Sequence, residues 1–159
     1  EVNEMIDLVA GRLDTVDCPV DFVELTTMHK RLMAGDAADV HALEFDEYRD
    51  GYRKHMASQI EWGRKQSDED YEAALDYQKI QRQAVSTWLR KDQVLVMPAT
   101  TSSPPGMETT GNPLFNSPWS FLGLPALSVP QSLSVEGFPL CLQFVGRTVQ
   151  AVVSAARRF

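Results

Sequence analysis

Eight of the nine prolines in this 159-residue chain fall between Pro98 and Pro139. Each one fixes φ and removes a backbone donor, so no long helix can run through that stretch. Short strands and turns can, with proline at strand ends or sheet edges. Charge marks a similar division. Residues 1–91 carry 19 acidic and 12 basic side chains, a net of -7, whereas residues 92–159 carry 3 of each. A charged, helix-rich part (1–91) therefore precedes a neutral, strand- and turn-rich part (92–159). The two together predict an α/β chain with a layered core.

Apolar spacing predicts the elements. Val2, Met5, Ile6, Val9 and Leu13 repeat at helical intervals over 2–13. Val20, Phe22 and Leu25 predict a short strand over 16–25. Residues 27–34 read as helix with Gly35 at its C′ position. Asp36 or Asp39 would then cap a helix over 40–57, broken near Gly51. The best-marked helix spans 68–91: Ser67 and Asp70 approximate a capping box, acids crowd the first turn, and Arg90 and Lys91 close the last. Its predicted apolar face is Ala73, Tyr77, Ile80, Ala84 and Trp88.

In the neutral part, Val94 to Met97 is a continuous apolar run ended by Pro98, the pattern of a buried strand. Residues 100–111 are loop by composition. Ser120 to Gly123 reads as a helical turn. Leu127–Val129 and Pro139–Val145 read as strands of a hairpin turning at 135–138, with Gly146 ending the second. Ala151, Val152, Ala155, Ala156 and Phe159 form a last helical stripe. The chain begins at Glu1 already in helical pattern and stops without a C-cap, which reads as a piece of a longer protein.

The residues exclude several chemistries. A net charge of -7 disfavours nucleic acid. No apolar run approaches the roughly 20 residues of a membrane span, and no signal peptide is visible. Cys18 and Cys141 read as buried free thiols of a cytoplasmic protein. His29, His41 and His55 form no metal motif, and His41 with Glu44 offers at most two ligands. The acids from Asp36 to Asp50 lack the spacing of a calcium loop. Glycine-rich phosphate loops are absent, and so is any implied cofactor. Serines abound after residue 100, yet none lies in GxSxG and no histidine follows His55.

Four motifs in order over 94–147 carry a resemblance. Strand 94–97 ends in Met97-Pro98-Ala99-Thr100. Next come Thr110-Gly111-Asn112-Pro113-Leu114-Phe115-Asn116-Ser117-Pro118-Trp119-Ser120, then Gly123-Leu124-Pro125-Ala126-Leu127-Ser128-Val129-Pro130. Last is Gly137-Phe138-Pro139-Leu140-Cys141-Leu142-Gln143-Phe144-Val145-Gly146-Arg147. This order resembles the C-terminal part of the amidase signature family. Two positions depart from it: Cys141 stands where glycine is usual, and Thr148-Val149-Gln150 replaces an acidic pair.

The resemblance implies a mixed-sheet α/β/α sandwich and a parent enzyme that hydrolyses carboxamide C–N bonds with a serine nucleophile, a bridging serine and a lysine base. Those residues belong to a Gly/Ser-rich core upstream, and none of Lys30, Lys54, Lys65, Lys79 or Lys91 sits in such a context. The chain therefore carries no expected catalytic residue. Phe115, Asn116 and Trp119 are the candidate substrate-binding residues, with core packing the other reading of the aromatic cluster of Phe115, Trp119 and Phe121. Independently of any family, Gln143 inside an apolar strand needs a hydrogen-bond partner, and Pro125 and Pro130 should bracket a short strand. The expected partners are a small amide substrate and the remaining N-terminal part of the same protein, with a homodimer left open. Two other readings stand beside this one. The parent could be an amidotransferase A-type subunit acting on charged tRNA, against which Pro113 and the acidic charge weigh. Or the chain could be a standalone non-catalytic interaction domain.

Overall fold

A computed structural model of the chain describes residues 2–9 and 11–159; the side chains of Val2 and Leu8 lie outside that description. The elements in order are α1 (Val2–Val9), α2 (Phe22–Val40), a 3-10 turn (Arg49–Gly51), α3 (Lys54–Gly63), α4 (Asp68–Trp88), β1 (Val94–Pro98), α5 (Ser117–Leu122), β2 (Ala126–Leu133), β3 (Pro139–Gly146) and α6 (Val149–Ala156). The chain divides into two compact units, residues 1–26 with 81–159, and residues 27–80. The division falls inside α2 and α4, not at the charge boundary near residue 91.

The first unit is built on a three-stranded antiparallel sheet in the order β1-β3-β2. The predicted strands and hairpin are present, with Gly137 at φ 83° in the turn. β3 lies in the middle, pairing Val96 with Phe144 on one side and Ser128 with Gln143 on the other. Its side chains alternate. Leu140, Leu142 and Phe144 pack with Met5 of α1 and Val152 of α6 into a buried cluster that Val9, Ala155, Ala156 and Phe159 extend. Of the predicted α1 stripe, Met5 and Val9 join this core, Ile6 and Leu13 stay exposed, and Val2 falls outside the described side chains. Thr148 caps α6 by accepting from the Ala151 N–H at 3.2 Å. Gly146 meets α6 so closely that a Cβ there would lie 3.0 Å from a Val152 methyl.

Pro130 does not end its strand. β2 continues to Leu133, and the pairing shifts register between Pro130 and Ser132. An edge strand tolerates that irregularity because proline has no N–H to lose.

The second unit packs Phe45, Ala57 and Ile60 against Ala37, Tyr52 and Met56. The guanidinium groups of Arg49 and Arg64 sit 5.2 and 4.8 Å from the Phe45 ring centre while pairing with Glu61 and Asp46. Ser67 caps α4 as predicted: its Oγ accepts from the Asp70 N–H and donates to the Asp70 carboxylate, both at 3.1 Å.

Four expectations are corrected. Residues 16–25 form no strand; Asp21 Oδ1 instead accepts from the N–H groups of Val23 and Glu24, at 2.8 and 3.0 Å, and starts α2 at Phe22. Asp21→Ala is expected to cost about 1 kcal/mol through the lost cap, read as a lower thermal midpoint. Gly35 ends nothing. It lies within α2, where a Cβ would come 2.6 Å from the Tyr71 ring, and Tyr71 donates to Asp36 at 2.7 Å. The helix over 40–57 is replaced by turns, and α3 starts only at Lys54. The buried residues of α4 are Ala74 and Val85, with Leu89 just past its end, whereas Ala73, Ile80 and Ala84 of the predicted face are exposed.

Candidate functional site

The segment that joins β1 to α5 carries two of the three candidate side chains, Phe115 and Asn116, and the third, Trp119, lies within the helix it feeds. Ala99 prolongs β1 by one bond, its N–H donating to the Cys141 carbonyl at 2.9 Å. The chain then loops out through residues 100–111. It returns at Asn112, whose Oδ1 accepts from the Leu114 N–H at 3.0 Å. The Pro113 carbonyl accepts from the N–H groups of Asn116 and Ser117, at 2.9 and 2.7 Å, which winds the chain into α5. Pro118 sits in the first turn, where its missing N–H costs nothing. Gly123 ends the helix at φ 69°, a left-handed position that glycine takes without strain.

Two side-chain amides tie this segment to the sheet. Asn116 Nδ2 donates to the Ala99 carbonyl at 3.1 Å, and Gln143 Nε2 donates to the Phe115 carbonyl at 2.7 Å. Gln143 is only 3% exposed, so the partner its position demanded is now identified. Nothing local in the sequence marks that partner, which lies 28 residues earlier.

The candidate residues separate by burial. Phe115 is half-buried and Asn116 exposed. Trp119 is 1% exposed and packs edge-on to Phe22 with ring centres 5.4 Å apart. Phe121 is buried as well. The indole Nε1 of Trp119 is enclosed without a hydrogen-bond partner. Residues 109–135, which include all three candidate side chains, contain no charged residue.

The other chemistry-bearing groups do not converge here. Ser102 donates to the Ser103 carbonyl at 3.1 Å and Thr100 to the Ser102 carbonyl at 3.0 Å, as turn residues do. His41 Nδ1 is bonded to the Tyr52 hydroxyl at 2.9 Å. Cys18 and Cys141 are free and half-buried. Burial pushes the Cys18 thiol up from its ordinary value, the opposite of an activated nucleophile. Among the described residues no group of three His, Cys, Asp or Glu side chains is placed to hold a metal ion. No described helix is long and apolar enough to cross a membrane. A groove of about 590 Å³ lies elsewhere, floored by Val94, Val96 and Phe144 and rimmed by Asp92, Gln150 and Arg158; none of Phe115, Asn116 or Trp119 lines it.

No family model matches the chain. Among curated proteins it is similar to the A-type subunit of the glutamyl-tRNA(Gln) amidotransferase of Rhodospirillum rubrum, 47% identical over a 62-position alignment that covers 34% of this chain and 12% of that protein. Among solved structures, an amidase crystal structure superposes with a TM-score of 0.76 at 24% identity, over 94% of this chain and 37% of the other. A protein of a vestigial complex, described as revealing the evolutionary origins of an s-triazine catabolic enzyme, superposes with a TM-score of 0.82 at 19% identity, over 96% and 37%. The chain thus spans little more than a third of the structures whose fold it shares, and about an eighth of the curated relative.

Proposed function

We propose that this chain is part of an amidase signature protein, that the parent hydrolyses carboxamide C–N bonds, and that the chain supplies part of the substrate pocket; it carries part of the mixed α/β fold of the solved structures it superposes on. One observation carries the reading: the family's ordered motifs fall on one connected piece of structure. They form β1, the 112–117 segment, α5 and the β2–β3 hairpin. In the parent, an activated serine upstream of this chain would attack the amide carbon. The amine leaves as the C–N bond breaks, and water then releases the acid from the acyl-enzyme. Phe115 and Asn116 form the pocket wall, with Trp119 buried behind them and holding α5 in place. An uncharged amide is the fitting substrate for this neutral wall, and the chain needs no cofactor for the role.

The expected result is that the isolated 159-residue chain turns over no aryl amide, because its residues include no serine–lysine catalytic set. The parent does turn it over. Product formation by the pure chain above the blank, or none by the parent, would sink the proposal.

The 47% identity to an amidotransferase A-type subunit favours a second reading, in which the parent releases ammonia from glutamine for transfer to charged tRNA. A glutaminase assay with and without charged tRNA separates the two. Stimulation by the tRNA supports the transferase, and hydrolysis of simple amides alone supports the hydrolase.

A further inference from the structure

We infer that Gln143 is a positioning residue for the substrate wall, acting through the Phe115 carbonyl. The inference rests on the amide-hydrolase reading above and adds to it the group that fixes the wall in register with the sheet.

Four observations converge. Gln143 is the buried polar side chain of the central strand, set between Met97 of β1 and Ser128 of β2. By alternation it points away from the Leu142–Phe144 cluster, toward the side from which the 112–117 segment approaches. Its 2.7 Å bond reaches the Phe115 carbonyl, just ahead of the N-cap of α5. Finally, the bonds close a ring. β3 holds Ala99 through the Cys141 carbonyl, Ala99 holds Asn116, and Phe115, next to Asn116, is held by β3 again through Gln143. Residues 99 and 116, the two ends of a loop without secondary structure, are thereby locked to each other and to the middle strand. A loop of that length has many conformations of similar energy unless its ends are fixed. Phe115 and Asn116 keep one position because two amides hold them.

No charged side chain lies on β1 or β2 or in residues 109–123. The cation packed against α5 is Arg82, bonded to the carbonyls of Phe121 and Leu122 at its far end. A carboxyl placed at 143 therefore meets no counter-charge from these elements, and burial favours its neutral form. That makes Gln143→Glu a useful probe in the parent protein. Protonated, the carboxyl donates O–H to the Phe115 carbonyl and restores the tie. Ionised, it presents oxygen to oxygen and breaks it. Gln143→Leu breaks it at every pH.

In the parent, with an aryl amide, Gln143→Leu is expected to raise KM about tenfold with kcat within about twofold, independent of pH. Gln143→Glu is expected to match wild type at acid pH and to approach the leucine variant as pH rises through the raised carboxyl pKa. Hydrogen exchange on the same parent variants reads the tie without activity. The amides of 114–117 should exchange about tenfold faster in Gln143→Leu, with β1 and β3 unchanged. Wild-type KM in both variants at all pH, an equal pH-independent loss in both, or unchanged exchange at 114–117 each overturns the inference. If wild type itself turns over no amide, the hydrolase reading falls and the substrate role with it, while exchange alone then decides whether Gln143 holds the segment.

Discussion

Replacing Gly63 by alanine is expected to destabilise the protein by about 3 kcal/mol, the upper end of what overpacking costs. The position is buried in α3, and helix propensity alone would favour alanine there by about 1 kcal/mol. Space decides against it. A Cβ on residue 63 would overlap the backbone carbonyl of Ala34 and lie 2.9 Å from the Ala38 Cβ. Both belong to α2, so relief requires two helices to separate rather than one side chain to turn. Gly35 gives the contrast. Its added Cβ would meet the ring of Tyr71, a side chain that can rotate away, although the ring's bond to Asp36 would then be lost. Gly35→Ala should therefore cost less than Gly63→Ala. Urea unfolding of the two variants measures the difference; equal losses, or a stabilised Gly63→Ala, would show that α2 and α3 pack less closely than this geometry requires.

Trp119→Ala is the second large effect, with an expected loss of about 3–5 kcal/mol. The indole is 1% exposed, abuts Phe22 edge-on, and lies in a six-residue helix. Truncation leaves a cavity that a proline-started turn with a fixed glycine end cannot collapse to fill. Selectivity among amide substrates in the parent should change little, because Phe115 and Asn116 stand between Trp119 and the ligand in the proposed arrangement. The discriminating measurement is a melt set beside a two-substrate ratio. A preserved melting temperature with an altered ratio would move the indole into the pocket. Trp119→Phe, which keeps most of the apolar volume, should recover much of the stability.

The parts of the fold legible in the sequence are those whose signals are local. Ser67 and Asp70 announce the start of α4 because a capping box closes within four residues. Proline and glycine punctuate β1, β2 and β3, and the hairpin is read from its turn. What is not legible depends on distant partners. Gly35 looks like a helix end by itself, and only Tyr71, 36 positions on, explains why glycine continues the helix. Asp21 is hidden as a cap because Val20, Phe22 and Leu25 suggest alternation in so short a window. On α4, tyrosine, tryptophan and isoleucine suggest one face, while smaller Ala74 and Val85 are the residues turned inward. The candidate site divides in the same way. Phe115, Asn116 and Trp119 stand out through their motif. The need of Gln143 for a partner is readable from its place in an apolar strand, whereas the identity of that partner is not.

The bonds from Arg82 to the last carbonyls of α5 carry a consequence for the order in which the chain assembles. Six residues cannot nucleate a persistent helix in water, since the first turn fixes several torsions for a single bond. The groups that complete α5 come from α4, about 40 residues earlier, and from the sheet through the ring around Phe115. α5 should thus be a late structure, forming once α4 and the hairpin are in place, and its backbone should open without requiring them to unfold. Substitutions within it would then speed unfolding and leave the folding rate nearly unchanged.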